Sequence, residues 1–222
     1  MMTLFHCMSA RSFRPLWMLE ELGLPYVLKM LPFPPRVLAR DYLGINPLGT
    51  VPAFFDGEVA MTESAAICHY LASRDGPSRL CVAPGDPEYG NFLNWLHFGE
   101  ATLTCPQTIV LRYGRFEPPA RRLPQAAEDY RRWFLARLKG LSPVLARRSY
   151  LCGEHLTAAD IAVGYALLLA SYLDLVESFP LAVQDYWQRL QAGAGYQRAM
   201  SAQLQAAVEQ GVSTTPAPLA NY

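Results

Sequence analysis

The chain has 222 residues, enough for one large domain or two small ones, and 51% of them are hydrophobic, so a substantial core can form. Nineteen basic and nineteen acidic residues cancel, and no stretch is dense enough in Lys and Arg to read as a nucleic-acid surface. Cys7, Cys68, Cys81, Cys105 and Cys152 are odd in number and nowhere two residues apart, which speaks against a disulfide framework and for a reducing compartment.

In chain order, residues 3–6 read as a short strand. Residues 13–23 read as a helix, with Leu16, Leu19 and Leu22 on one face and Gly23 as its stop. A second strand follows at 26–30, then Pro32, Pro34 and Pro35 open a loop, with a short helix at 37–43. Residues 51–55 read as the third strand and 59–61 as the returning one. Between them stands Asp56-Gly57, the dipeptide favoured in a type I′ hairpin turn. Residues 63–73 are helical, with Ile67, Tyr70 and Leu71 inward. The order β-α-β-α-β-β-α predicts a mixed four-stranded sheet with helices packed on it.

The Pro- and Gly-rich run at 75–87 marks a change of character, and a linker is assigned to 77–86 between a first domain at 1–76 and a second at 87–212. Everything ordered in the second domain reads as helix. The pattern runs from 88 to about 112, breaks at Pro118-Pro119, and resumes over 126–145. Residues 158–173 are apolar almost all round and belong at the centre of a bundle. Residues 181–190 and 196–210 supply the last helices, and the tail from Ser213 is expected to be mobile. The N-terminus lacks the basic start and long apolar run of a signal peptide, and the apolar stretch at 161–173 is too short to cross a bilayer. A soluble, cytoplasmic protein without a membrane partner is expected. His6, His69, His97 and His155 have no metal-ligand spacing, so no metal is expected.

Four segments carry chemistry. Pro52, in Gly49-Thr50-Val51-Pro52, stands at the start of a strand, where it cannot donate a ladder bond. By itself it reads as an ordinary trans proline. Glu63-Ser64 open a helix just past a strand. Its unpaired N–H groups and the Ser64 hydroxyl suit a carboxylate, and Glu63 suits an ammonium; plain helix capping is the equal alternative. The turn Cys7-Met8-Ser9-Ala10-Arg11-Ser12 leads into the first helix and can place a hydroxyl where it stabilises a thiolate, or Ser9 or Ser12 can merely cap that helix. Thr157 and Asp160 have capping-box spacing, a structural role at the start of the central helix.

The ordered set of Ser9 with Arg14, Leu19-Glu20-Glu21-Leu22-Gly23, Asn46-Pro47-Leu48-Gly49, Val51-Pro52, Glu63-Ser64 and Thr157 with Asp160 resembles the cytosolic glutathione S-transferase superfamily over roughly residues 3–210. The chain looks like a bacterial-type member with a serine-type turn. The resemblance implies a thioredoxin-like first domain, an all-helical second domain and a homodimer. It implies that Pro52 is cis and that Thr50, Val51 and Pro52, with Glu63 and Ser64, hold glutathione as co-substrate. Ser9 matches the catalytic hydroxyl, with Ser12 as rival, and Arg11 is a departure that either stabilises the sulfur, or points into solvent or pairs with an acid such as Glu20 or Glu21. The second substrate is a small hydrophobic electrophile. Candidate walls are Met8 and Phe13 in the first domain, and Trp95, Phe98, Thr102, Arg112, Tyr113 and Phe116 in the second. Other glutathione-dependent reactions (disulfide reduction, ether cleavage, dehalogenation, isomerisation) and a non-catalytic binding protein are the alternatives. Lowering a thiol pKa by ~2 units requires about 2.7 kcal/mol. A charge-assisted hydrogen bond supplies about 1.5–3 kcal/mol and a helix N-terminus up to ~1 kcal/mol, so no general base is needed.

Overall fold

The computed structural model describes residues 1–76 and 78–217, so Pro77 of the expected linker and residues 218–222 of the expected mobile tail lie outside the described residues. The chain forms two compact units that do not follow chain order. One comprises Met1–Gly76 with the chain from Ala192 onward, the other Pro77–Gln191. The final helix, grouped with the helical domain in the sequence reading, is thus compact with the first unit.

In the first unit, β1 (Met2–His6) and β2 (Tyr26–Met30) pair in parallel around helix α1 (Phe13–Leu22). The alternation of β1 buries Met2, Leu4 and His6. Strand β3 (Ala53–Asp56) runs antiparallel to β1, with Leu4 opposite Phe54, and β4 (Val59–Met61) returns beside it, giving the order β2-β1-β3-β4. Strand β3 starts two residues later than expected, because Pro52 has no N–H for the ladder. The hairpin also differs: Gly57 is the first loop residue, at φ +58°, and Glu58 is not left-handed. That is the pattern of a type II′ turn rather than I′. The expected helix at 37–43 is split into α2 (Pro35–Leu38) and a 3₁₀ turn, Arg40–Gly44.

Helix α3 (Ser64–Ser73) packs on α1, burying Ile67, Cys68 and Leu71. Helix α1 also packs against α10 (Ala194–Glu209), the last helix among the described residues. There Tyr196 meets Trp17 edge-on at 5.0 Å and Phe13 at 5.7 Å between ring centroids. Met30 N–H donates to Gln210 Oε1 at 2.8 Å, tying the end of β2 to the C-cap of α10.

The second unit is helical. Helix α4 (Tyr89–His97) runs on through a π-helical stretch, Phe98–Thr104, into α5 (Cys105–Leu111) and a second π turn, Arg112–Phe116. The cause of the first widening is Pro106, which has no N–H to offer four residues back. Cys105 N–H donates instead to Glu100 O, and the Thr104 hydroxyl satisfies Gly99 O at 2.7 Å. Helix α6 (Pro124–Leu138) is shorter than the expected 126–145. Pro143 interrupts the ladder, leaving a 3₁₀ turn, Lys139–Leu141, before α7 (Ser142–Leu145). Helix α8 (Ala158–Ser171) is buried over thirteen consecutive residues, Ala158 to Ala170, as expected of an all-round apolar helix. Its start is anchored by the completely buried Asp160, and α9 (Leu181–Ala192) follows.

No helix among the described residues is long and apolar enough to cross a membrane.

Candidate functional site

The turn between β1 and α1 is built from buried polar groups. Ser9 has a left-handed backbone, φ +49°, unusual for a residue with a Cβ. Two bonds from the completely buried Gln203 of α10 hold it there. Ser9 N–H donates to Gln203 Oε1 at 2.9 Å, and Gln203 Nε2 donates to Ser9 Oγ at 3.2 Å. The same Oε1 lies 3.0 Å from His6 Nε2, and His6 Nδ1 lies 2.7 Å from Ser12 Oγ. His6, Ser9, Ser12 and Gln203 therefore form one buried network joining β1, the turn and α10. Neither His6 nor Gln203 was singled out from the sequence, although Gln203 stands as a polar residue in the stripe Tyr196, Ala199, Gln203, Ala206 that α10 buries. That break in an apolar face was the available signal.

Burial pushes the His6 pKa down to about 4, against the opposing pull of the Gln203 side chain and of the Ser12 backbone. An unfolded chain protonates this histidine near 6.5, so between about 6.5 and 4 the unfolded state binds the extra proton and stability falls as pH falls. The stabilisation, about 3 kcal/mol, is complete above pH 6.5 and gone below about 4. Urea unfolding across this range is expected to show that slope, and His6→Gln to flatten it. An equal slope in both proteins would show that another group is responsible.

Cys7 follows β1 and is buried, its Sγ 3.8 Å from Pro32 O, and burial raises its thiol to about 12. It is a neutral packing residue at neutral pH and not a nucleophile. Arg11 is half-buried in the turn. Of the acids proposed as its partners, Glu20 is engaged by Arg198 at 3.3 Å and by Tyr26 OH, and Glu21 accepts from Trp17 Nε1 at 3.1 Å.

The Val51–Pro52 peptide bond is cis, the isomer the resemblance implied; Phe33–Pro34 is cis as well. The approach to Pro52 is braced by side chains absent from the expected set. Thr50 O accepts from Tyr42 OH and from Asn46 Nδ2, each at 2.8 Å, and Asn46 Oδ1 accepts Leu48 N–H at 3.1 Å. Thr50 itself is exposed and Val51 half-buried.

Glu63 is the exposed N-cap of α3, and Ser64 is buried in its first turn. The first ladder bond runs from Ile67 N–H to Glu63 O, so the N–H groups of residues 64–66 precede the ladder, with the helix dipole behind them. Arg14, wholly buried on α1, donates from Nη1 to Ser64 Oγ at 3.0 Å. This places a guanidinium beside the N-terminus of α3, a second attraction for an anion that the sequence reading used only as a motif landmark.

The residues expected to wall the second-substrate pocket differ in their surroundings within each unit. Phe13 is completely buried against Trp17 and Tyr196, and Met8 is also buried, so both are core residues of the first unit. In the helical unit, Trp95 and Phe98 touch edge-on at 5.2 Å, yet they line different recesses. Trp95 borders a cavity of about 290 Å³ with Pro143, Val144 and Leu151. Phe98 and Thr102 border a shallow groove of about 310 Å³ with Leu93 and His97. Arg112 is exposed, pairs with Glu117 at 3.0 Å and lies 5.6 Å from the centre of the Tyr113 ring. Phe116 is exposed in the same π turn. Among the described residues no group of three or more His, Cys, Asp or Glu side chains can hold a metal ion.

A mixed four-stranded sheet carrying a cis proline and two serine-bearing helix starts, with a helical unit beside it in sequence, defines a thioredoxin-like domain of the transferase type. Residues 8–74 match the family profile described as "Glutathione S-transferase, N-terminal domain". The chain is 28% identical to glutathione S-transferase 3 of Schizosaccharomyces pombe, with 86% of this chain and 82% of the relative covered. It is 31% identical to a glutathione S-transferase of Hypomyces subiculosus, covering 69% and 76%. A glutathione transferase of Phanerochaete chrysosporium, solved with oxidised glutathione, superposes with a TM-score of 0.80 at 26% identity, covering 92% of this chain and 97% of that one. The chain belongs to the glutathione S-transferase family of enzymes.

Proposed function

We propose that the enzyme binds glutathione as its co-substrate and stabilises the thiolate with the Ser9 hydroxyl for attack on a small hydrophobic electrophile. The observation that carries this reading is a pair of buried serine hydroxyls, each held as an acceptor by a buried donor: Ser9 by Gln203 and Ser64 by Arg14. With the oxygens so held, each O–H proton is directed away from its holder. At Ser64 that direction suits the γ-glutamyl carboxylate, assisted by the α3 N-terminus and Arg14, and Glu63 takes the ammonium. Thr50, Val51 and Pro52 line the cysteinyl part.

At Ser9 the proton suits the sulfur. The thiol gives up its proton to water, the S–C bond forms, and the leaving group departs with its electron pair. Arg11 adds a positive field beside the turn. Of the second-unit candidates, Trp95, Phe98, Arg112, Tyr113 and Phe116 are retained as electrophile contacts, while Phe13 acts from the core. A Cys7-based disulfide chemistry is disfavoured by the high pKa of that thiol. A homodimer is proposed for the assembled protein, supported by the apolar surface left on the loop before β3, where Leu38, Ile45 and Leu48 are exposed.

The test is direct. The protein is expected to be retained on immobilised glutathione and to conjugate a generic aryl halide. Ser9→Ala is expected to raise the pKa of the bound thiol by ~1–2 units, the equivalent of one charge-assisted hydrogen bond. An unchanged thiol pKa in Ser9→Ala would remove the hydroxyl from the mechanism, and loss of activation in Arg11→Ala alone would transfer the role to the guanidinium.

A further inference from the structure

We propose that Gln203 is a positioning residue that sets the direction of the Ser9 hydroxyl, and that through His6 it also withdraws Ser12 from competition for the sulfur. This rests on the functional reading above.

The argument is one of donors and acceptors. A backbone N–H can only donate, so the Gln203 atom facing Ser9 N–H must be the oxygen. The amide orientation is thereby decided by the main chain and is not open to a flip. With Oε1 there, Gln203 Nε2 is the atom facing Ser9 Oγ, and it can only donate. Ser9 Oγ is an acceptor in this bond, and its own proton points elsewhere than Gln203.

The same oxygen settles the state of His6. Oε1 is an acceptor, so His6 Nε2 carries the proton that reaches it. A neutral imidazole has one N–H, so Nδ1 is a bare acceptor. Burial keeps the ring neutral at ordinary pH. Ser12 Oγ, at 2.7 Å from Nδ1, is therefore the donor of that bond. Its only proton is committed to His6, and it has none to give a thiolate. One glutamine nearly two hundred residues away in the chain thus holds Ser9 Oγ as an acceptor and, through His6, engages the proton of Ser12.

Gln203 has a second effect on Ser9. The φ of +49° is disfavoured for serine, and the paired bonds from Gln203 to Ser9 N–H and Oγ hold both backbone and hydroxyl in that geometry. The ionisable neighbours of the network along its own chain segment are Cys7, neutral by burial, and the guanidinium groups of Arg11 and Arg14. From α10 the facing groups are Gln203 and Met200, whose sulfur lies 3.2 Å from Gln203 Nε2.

The experiment measures the pKa of enzyme-bound glutathione by the ultraviolet absorbance of its thiolate, in the full chain. Gln203→Met is expected to raise that pKa by about one unit, a roughly tenfold smaller thiolate-to-thiol ratio at neutral pH. Affinity for S-methylglutathione, which has no thiol proton, is expected to stay within about twofold, a split that a general loss of structure would not give. Ser12→Ala is expected to shift the thiol pKa less than Ser9→Ala does. If Ser9→Ala raises the pKa and Gln203→Met does not, the positioning role is overturned while the functional reading stands. If Ser9→Ala itself changes nothing, the functional reading fails first. Should Gln203→Met not fold, nitrogen NMR of His6 in the unaltered protein decides. A neutral ring protonated on Nε2 supports the network; a ring protonated on Nδ1, or one titrating near 6.5, overturns it.

Discussion

Asp160→Ala is expected to lower the unfolding free energy by about 4–5 kcal/mol, a large share of the stability of a typical domain. The carboxylate is completely buried and accepts four hydrogen bonds. Leu151 N–H and Tyr186 OH reach Oδ1 at 2.9 and 2.8 Å; Thr157 N–H and Thr157 Oγ1 reach Oδ2 at 2.8 and 3.0 Å. Burial lifts its pKa above the ordinary value, and the four donors pull it back. Removing the acceptor leaves two buried backbone N–H groups and two hydroxyls with no partner, at about 1–3 kcal/mol each before relaxation. It also dismantles the capping box of α8, the helix around which the second unit is built. Tyr186→Phe removes a single donor and is expected to cost about 1 kcal/mol. Guanidinium unfolding of the three proteins checks the order. If the alanine variant lies within 1 kcal/mol of the unaltered protein, the anchoring role of Asp160 is wrong.

Gly99→Ala is expected to destabilise by about 3 kcal/mol, against the helix propensity of alanine, which alone favours the substitution by about 1 kcal/mol. A Cβ on Gly99 would lie 2.5 Å from Ala162 C and 2.7 Å from both Ala162 O and Val163 N. These are backbone atoms of α8, so no rotamer change relieves the contact, and the π-helical stretch would have to move off the central helix. Gly90, near the start of α4, is the control: a Cβ there meets nothing within 4 Å, and Gly90→Ala is expected to be neutral or stabilising. Thermal unfolding of the two variants separates propensity from packing. A Gly99→Ala protein as stable as Gly90→Ala would refute the close approach.

The strands and most helices were legible because their signals are local. Residues 26–30 and 59–61 were recovered at the observed bounds, and the apolar run around residue 165 announced a buried helix wherever it happened to pack. Where the reading erred, a proline's effect on its neighbours was underestimated. Pro52 delays β3, Pro106 widens the long helix into a π stretch, and Pro143 cuts α6 short. The aromatic residues show another limit: spacing along a helix says which residues share a face but not what covers it. Phe13 was covered by Tyr196, which is remote in sequence.

By itself, the order of residues determined the sheet-and-helix alternation, the helical second half, the serine-bearing turn, and the Glu63-Ser64 helix start. Periodicity, turn dipeptides and helix caps act over a few residues and are written in adjacent positions. Only the tertiary structure decided which serine faces which partner. Gln203 approaches Ser9 because α10 returns to lie on α1. The amide's orientation, the tautomer of His6 and the commitment of Ser12 then follow from hydrogen-bond polarity, which has no expression in sequence spacing.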